Sequence, residues 1–218
     1  MELQISKRDF EGGQMIGFIS KGGVLVIPIL FCSVLAFAIF CERFIRFAVL
    51  ARRGRLVADQ VGEMLKKGDQ RGARQAAELS QSPMGRVLTK GMEVVDQDRE
   101  TLETVLEHAI DEEVSRLSRY LQALATIANI APLLGLLGTV IGMIKAFMVI
   151  QQMGGKVNAA VLAGGIWEAM LTTALGLAVA LPTMVGHSYL VSRVDRYEAR
   201  LRDGTVIFIK SLAMNQKG

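Results

Sequence analysis

Two stretches without formal charge set the terms for this chain. Leu121 to Ile144 contains no Asp, Glu, Lys or Arg, and neither does Ala169 to Ser192, with His187 taken as neutral. A helix crosses a bilayer core with about 20 apolar residues, so each stretch is long enough to span. The segments that hold them, LQALATIANIAPLLGLLGTVIGMIKAF and VLAGGIWEAMLTTALGLAVALPTMVGHSYL, are joined by a loop around Gln151 to Lys156. A hairpin of two membrane helices is expected.

These helices are not simple anchors. Ala125, Ala128, Pro132, Gly135, Thr139, Gly142 and Ala146 follow one another by three or four residues, which puts them on one helix face. Gly165, Ala169, Thr173, Gly176, Ala180 and Thr183 do the same on the second helix. Lipid gives no reason to align small residues, whereas close helix contact does, because backbones can then approach and gain dispersion energy. Two readings follow: a tightly packed hairpin, or faces that also line a pathway shared with other helices.

The chain is 51% hydrophobic and 21% charged, so polarity must be segregated, and it is. Charges crowd into Glu42 to Arg119 and Arg193 to Lys217. The net charge of +4 comes without a basic stripe interleaved with aromatics, which argues against nucleic-acid binding. Cys32 and Cys41 share one apolar helix about 13 Å apart in rise, too far for a disulfide. No Cys/His cluster points to a metal, and no cofactor is expected.

A third span, VLVIPILFCSVLAFAIFC, runs from Val24 to Cys41. Glu42, Arg43 and Arg46 follow it directly, so it reads as an uncleaved anchor and not a secretory signal. Arg43, Arg46, Arg52, Arg53 and Arg55 after this span, Arg116 and Arg119 before the second, and Arg193, Arg196, Arg200 and Arg202 after the third all mark one side. The other side has only Lys145, Lys156 and a charge-balanced N-terminus. By the positive-inside rule the N-terminus is out and the C-terminus in. The expected division is an outer segment 1–21, spans at 22–46, 121–150 and 161–192, an inner helical region 47–120, an outer loop 151–160 and an inner C-terminal helix 193–218. A short amphipathic helix is expected around Phe10 to Ile19.

The inner region is helical in character, with Gly54, Gly62, Gly68 and Gly72 dividing short helices before a break at LSQSPMG. Beyond it Leu102, Leu106, Ile110, Val114, Leu117, Leu121 and Leu124 form an apolar stripe. No breaker separates Arg99 from the second span, so one helix of about 75 Å is predicted to run from cytoplasm into membrane. Its stripe needs cover from upstream helices or neighbouring subunits. Arg193 to Arg202 is expected to extend the third span inward.

Ionisable side chains inside a membrane are functional candidates by default. Glu168 and Lys145 qualify, with His187 near the inner end. The antiparallel helices bring Glu168 and Lys145 to a similar depth. Glu168 is a candidate for the outer mouth of a cation or proton path. Lys145 either snorkels to the interface or contacts Glu168. Thr139, Thr172, Thr173 and Thr183 each have a bland reading, a hydroxyl bonded to the helix's own carbonyl. Thr139 and Thr173 nonetheless sit on the small faces near mid-membrane, where a hydroxyl offers both a donor and an acceptor.

GLLGTVIGMIKAF (Gly135 to Phe147) and EAMLTTALGLAVALP (Glu168 to Pro182) resemble the two signature spans of the MotA/TolQ/ExbB proton-channel family. SKGGVLVIPILFCSVLAFAIFCER around the first span is similar to the ExbB/TolQ branch. The resemblance implies an all-α protein of a bacterial inner membrane, with two of three spans extended into long cytoplasmic helices and the outer side periplasmic. It further implies a homopentameric ring around the transmembrane helices of an ExbD- or TolR-like partner, converting proton-motive force into work on a TonB- or TolA-like protein. The family's pore threonines match Thr139 and Thr173, and its acid at the start of the last span matches Glu168. Ala128, Pro132, Gly135, Gly142, Ala169, Gly176 and Ala180 are the accompanying pore-face packing residues. Lys145 departs from the pattern.

One observation on the residues fits this independently. No Asp or Glu lies near the centre of any span, and threonines have no second charge state at physiological pH. A proton relay here therefore takes its acid from another polypeptide. The small faces are too apolar to hold a continuous column of water, so a dry lumen is expected without that partner. An enzyme is disfavoured: Ser188 and His187 are adjacent on a helix and point about 100° apart, and no GxxxxGK[ST] loop occurs. A non-conducting membrane scaffold is the remaining alternative.

Overall fold

The computed structural model describes residues 23–50, 54–153 and 159–215. The helix expected around Phe10 to Ile19, and Lys156 of the outer loop, lie outside the described residues. Those described form seven helices: α1 (Val26–Leu50), α2 (Gly54–Lys66), α3 (Gln70–Leu79), α4 (Pro83–Glu93), α5 (Arg99–Ser118), α6 (Leu121–Gln152) and α7 (Ala159–Asn215). Three of them, α1, α6 and α7, are long and apolar enough to cross a membrane. The protein is an all-helical integral membrane protein. The third span and the C-terminal helix are one unbroken element, as the helix-forming run past Ser192 predicts.

The chain divides into two compact units. The first holds the described residues up to Phe40 together with Ala123–His187, the apolar parts of α1, α6 and α7. Ile27, Phe31, Val34, Phe37, Leu133, Leu136, Met170, Leu181 and Val185 stand exposed on it. Contiguous apolar surface of that kind suits lipid or further helices, not water.

The second unit holds Cys41–Gln122 with the helix from Ser188 onward. Its short helices begin and end where local chemistry requires. Gly68, with φ +77°, closes α2: Gly68 N–H bonds to Leu65 O at 3.0 Å and Asp69 N–H to Met64 O at 3.0 Å, the paired bonds of a Schellman ending. The side chains of Asp69, Ser82 and Asp98 then accept from Gly72, Gly85 and Thr101 N–H and start α3, α4 and α5. Val61, Leu65, Ala73, Ala77, Val87, Leu88, Leu106, Ile110, Leu201 and Phe208 are buried between them. The apolar stripe of α5 is thus covered by the chain's own helices.

Two expectations fail here. The helix predicted to run unbroken from Arg99 into the second span stops at Ser118: Arg119 turns to ψ 134° and Tyr120 adopts φ +69°. Beside this break sits Arg43, counted above only as a topology signal. Its side chain is wholly buried, its guanidinium lies 3.4 Å from Leu117 O and 3.5 Å from Arg116 O, and it stacks 5.0 Å from the Tyr120 ring centre. It supplies donors to carbonyls that the end of α5 leaves free. The stripe also shifts. Val114 is only half-buried, while Glu113 is buried and accepts from Arg86 Nε at 2.8 Å and Arg116 Nη1 at 3.1 Å.

Tyr197, in the charged part of α7, lies close to this cluster. Burial first, and then Glu113, push its phenol up to about 12, while its hydroxyl has no hydrogen-bond partner. Because that exceeds the ordinary value of about 10, the associated stability is complete below pH ~10 and is lost as pH rises through the folded-state value. Glu113→Ala, which strands Arg86, is expected to cost about 1–3 kcal/mol. Tyr197→Phe is expected to leave the neutral-pH melting temperature unchanged or raised, and to weaken the alkaline loss. Thermal melts at neutral pH and above pH ~10 check both.

Candidate functional site

The two small-residue faces meet each other. A Cβ added at Gly135 would stand 2.9 Å from Thr173 Cα and 3.0 Å from Thr172 O. At Gly176 it would stand 2.5 Å from Ala131 O, at Gly142 2.9 Å from Ala169 Cβ, and at Gly165 2.6 Å from Ala146 Cβ. Pairing Ala131 with Gly176, Gly135 with Thr173, Gly138 with Thr172, Gly142 with Ala169 and Ala146 with Gly165 describes one antiparallel register along the seam of α6 and α7. Ala128 and Ala180 are buried as well, and Pro132 is half-buried inside α6. The packed-hairpin reading is what the geometry shows. Gly135, Gly142, Ala169 and Gly176 pack against the neighbouring helix of the same chain.

The threonines fall on this seam or beside it. Thr173 Oγ1 donates across it to Gly135 O at 3.0 Å. Thr172, buried, donates to its own Ala169 O at 2.7 Å and lies 3.5 Å from Gly135 O. Thr139, half-buried, donates to Leu136 O at 2.6 Å, and Thr183 to Val179 O at 2.6 Å. Three of the four follow the bland reading, while Thr173 ties one helix to the other. Every one of these hydroxyl protons is committed to a backbone carbonyl. What remains at each oxygen is acceptor capacity.

At the loop end of the hairpin Lys145 Nζ donates to Glu168 Oε1 at 2.7 Å. Lys145 therefore forms the contact that spacing left open and does not act as a lone snorkelling cation. The structure brings Glu168, Lys145, Thr172, Thr173 and Gly135 onto one seam, with Thr139 beside it. Two contributors went unread in the sequence. Gly138 makes room for Thr172, since a Cβ there would stand 2.1 Å from its Oγ1; its spacing from Gly135 and Gly142 was the available signal. Gly23 lies against Glu168, and only the Gly-Gly pair before the first span hinted at it.

A three-span helical membrane protein whose last two spans pack through glycine and present hydroxyls in place of acids belongs to a narrow class. Residues 79–203 match the MotA/TolQ/ExbB proton channel family. A putative biopolymer transport protein, ExbB-like 3, of Synechocystis is 33% identical over 84% of this chain and 88% of its own. A putative ExbB homolog of Methanothermobacter thermautotrophicus is 30% identical over 84% of this chain, which spans 65% of that relative's length. The Tol-Pal system protein TolQ of Haemophilus influenzae is 37% identical over 41% of this chain and 39% of its own. The chain belongs to the MotA/TolQ/ExbB family, in its ExbB/TolQ branch.

If the seam depends on backbone approach, Gly176→Ala drives a methyl onto Ala131 O and is expected to destabilise the purified protein by about 1–3 kcal/mol. Gly164→Ala, where a Cβ meets nothing within 4 Å, is expected to leave the melting temperature unchanged. Equal effects at the two sites would contradict the seam.

Proposed function

We propose that this chain is the proton-channel subunit of an inner-membrane motor that couples proton-motive force to work at the cell envelope. In this reading it forms a homopentameric ring, N-terminus periplasmic and C-terminus cytoplasmic, around the transmembrane helices of an ExbD- or TolR-like protein. That partner supplies the acid and passes movement to a TonB- or TolA-like protein. The chain itself acts as no enzyme and holds no cofactor.

The observation that supports this most is the state of the hydroxyls. Thr173 on the seam and Thr139 beside it offer oxygen lone pairs while their protons are already given to Gly135 O and Leu136 O. A protonated carboxyl on a partner helix can donate to such an oxygen at once. An ionised carboxylate has no proton to donate and can only accept, which requires the hydroxyl first to leave its carbonyl, and an unpartnered polar group in hydrocarbon is costly. The two protonation states of a partner acid therefore prefer different contacts, which is what stepwise movement driven by protonation requires.

The test is reconstitution with the single-span partner in liposomes and measurement of partner-dependent acidification. Thr173→Val keeps side-chain volume, loses the hydroxyl, and is expected to reduce flux to background while the complex still assembles. Thr173→Ser is expected to retain most of it. Wild-type flux in Thr173→Val, or an effect on assembly alone, would favour the non-conducting scaffold.

A further inference from the structure

Glu168 is the only acid between Leu121 and Leu190, and the proposed pathway places it at the outer mouth. Its surroundings give it a different task. Oε1, the oxygen held by Lys145 at 2.7 Å, also faces Gly23: a Cβ there would stand 2.1 Å from it. Gly23 has φ +70°, a conformation strained for residues with side chains, so glycine meets both demands. The carboxylate is thus enclosed by α6 on one side and by the backbone just before α1 on another.

Direction matters too. Thr173 lies five residues beyond Glu168, about 140° around the helix, whereas Thr172 lies only about 40° away. Glu168 therefore shares the flank of α7 that packs on Gly138 and Lys145, not the flank of Thr173. The side chains of Lys145 and Glu168 are 51% and 25% exposed, but the exposed neighbours are Ile144, Met148 and Trp167. Among such groups an ion pair is poorly screened, and removing one partner leaves a costly lone charge. The ammonium of Lys145 is held by Glu168 at 2.7 Å. Between Leu121 and Leu190 the chain has no other acid to receive that ammonium.

We infer that Lys145 is a positioning residue that pins Glu168 across the outer end of the hairpin, so that this acid serves as an ion-paired strut and not as a carrier of the transported proton. The inference rests on the reading that the partner-bound ring conducts. It deepens that reading by assigning conduction to the threonine tier and the partner's acid, and closure of the hairpin to the pair.

The experiment compares Lys145→Met, Glu168→Gln, the double neutral variant and the charge exchange Lys145→Glu/Glu168→Lys, each reconstituted with the single-span partner. A strut predicts that the two single variants lose flux by a similar factor, about tenfold, and that the double variant loses no more than either. It also predicts that the exchanged pair regains most of the wild-type rate, since only the attraction matters. Loss of all flux in Glu168→Gln without recovery in the exchanged pair would make Glu168 a carrier and overturn the inference. Wild-type rates in all variants would overturn it equally. Melting temperatures of the same set read the strut without any flux: a double variant that loses less than the sum of its parts supports it, and strict additivity refutes it. An unaltered complex that conducts nothing would count against the conducting reading alone.

Discussion

The approach of two backbones at Gly135 and Gly176 governs the membrane part of this protein. With a Cβ at Gly176 only 2.5 Å from Ala131 O, nothing larger than hydrogen fits. Apolar side chains gain nothing from association inside lipid, where the tails are as apolar as they are. Contact at van der Waals distance between backbones is then a main source of cohesion. The same closeness brings Gly135 O within 3.0 Å of Thr173 Oγ1. It also fixes the register that leaves Lys145 opposite Glu168. Packing, hydroxyl orientation and ion pairing follow from one spacing.

Elsewhere the structure is shaped by the need to satisfy buried polar groups. Glu113 sits among apolar residues of the α4–α5 contact because Arg86 and Arg116 reach it. Arg43 is wholly buried with its Nη1 toward the carbonyls at the end of α5 and its guanidinium over the Tyr120 ring, while its Nε and Nη2 make no hydrogen bond among the described residues. A charged residue beside an apolar run has two fates, solvation or partnership. Only the folded arrangement tells them apart.

These two kinds of constraint meet in the functional reading. A face of committed hydroxyls in a charge-free stretch can accept from an acid but not readily donate to one, so it distinguishes protonation states without titrating. The ion pair at the loop end keeps the chain's single acid in these spans engaged, and in the proposed reading the threonine tier then answers to a partner. In the proposal, discrimination and closure thereby fall on different residues.

Much of this was legible in the chain itself. Charge-free length predicted three membrane-spanning helices, small-residue periodicity predicted the packed hairpin, and LSQSPMG marked a break between helices, because each depends on residues near in the chain. The long span motifs carried the family. What the sequence could not decide was rotation and pairing between segments distant in the chain: that Gly135 and Gly142 pack on α7, that Lys145 meets Glu168, that Glu113 is buried instead of Val114, and that Arg43 sits against the end of α5. Periodicity says which residues share a face. Which surface that face meets is set by the tertiary packing, where steric fit and the cost of an unpaired polar group select among faces that look alike along the chain.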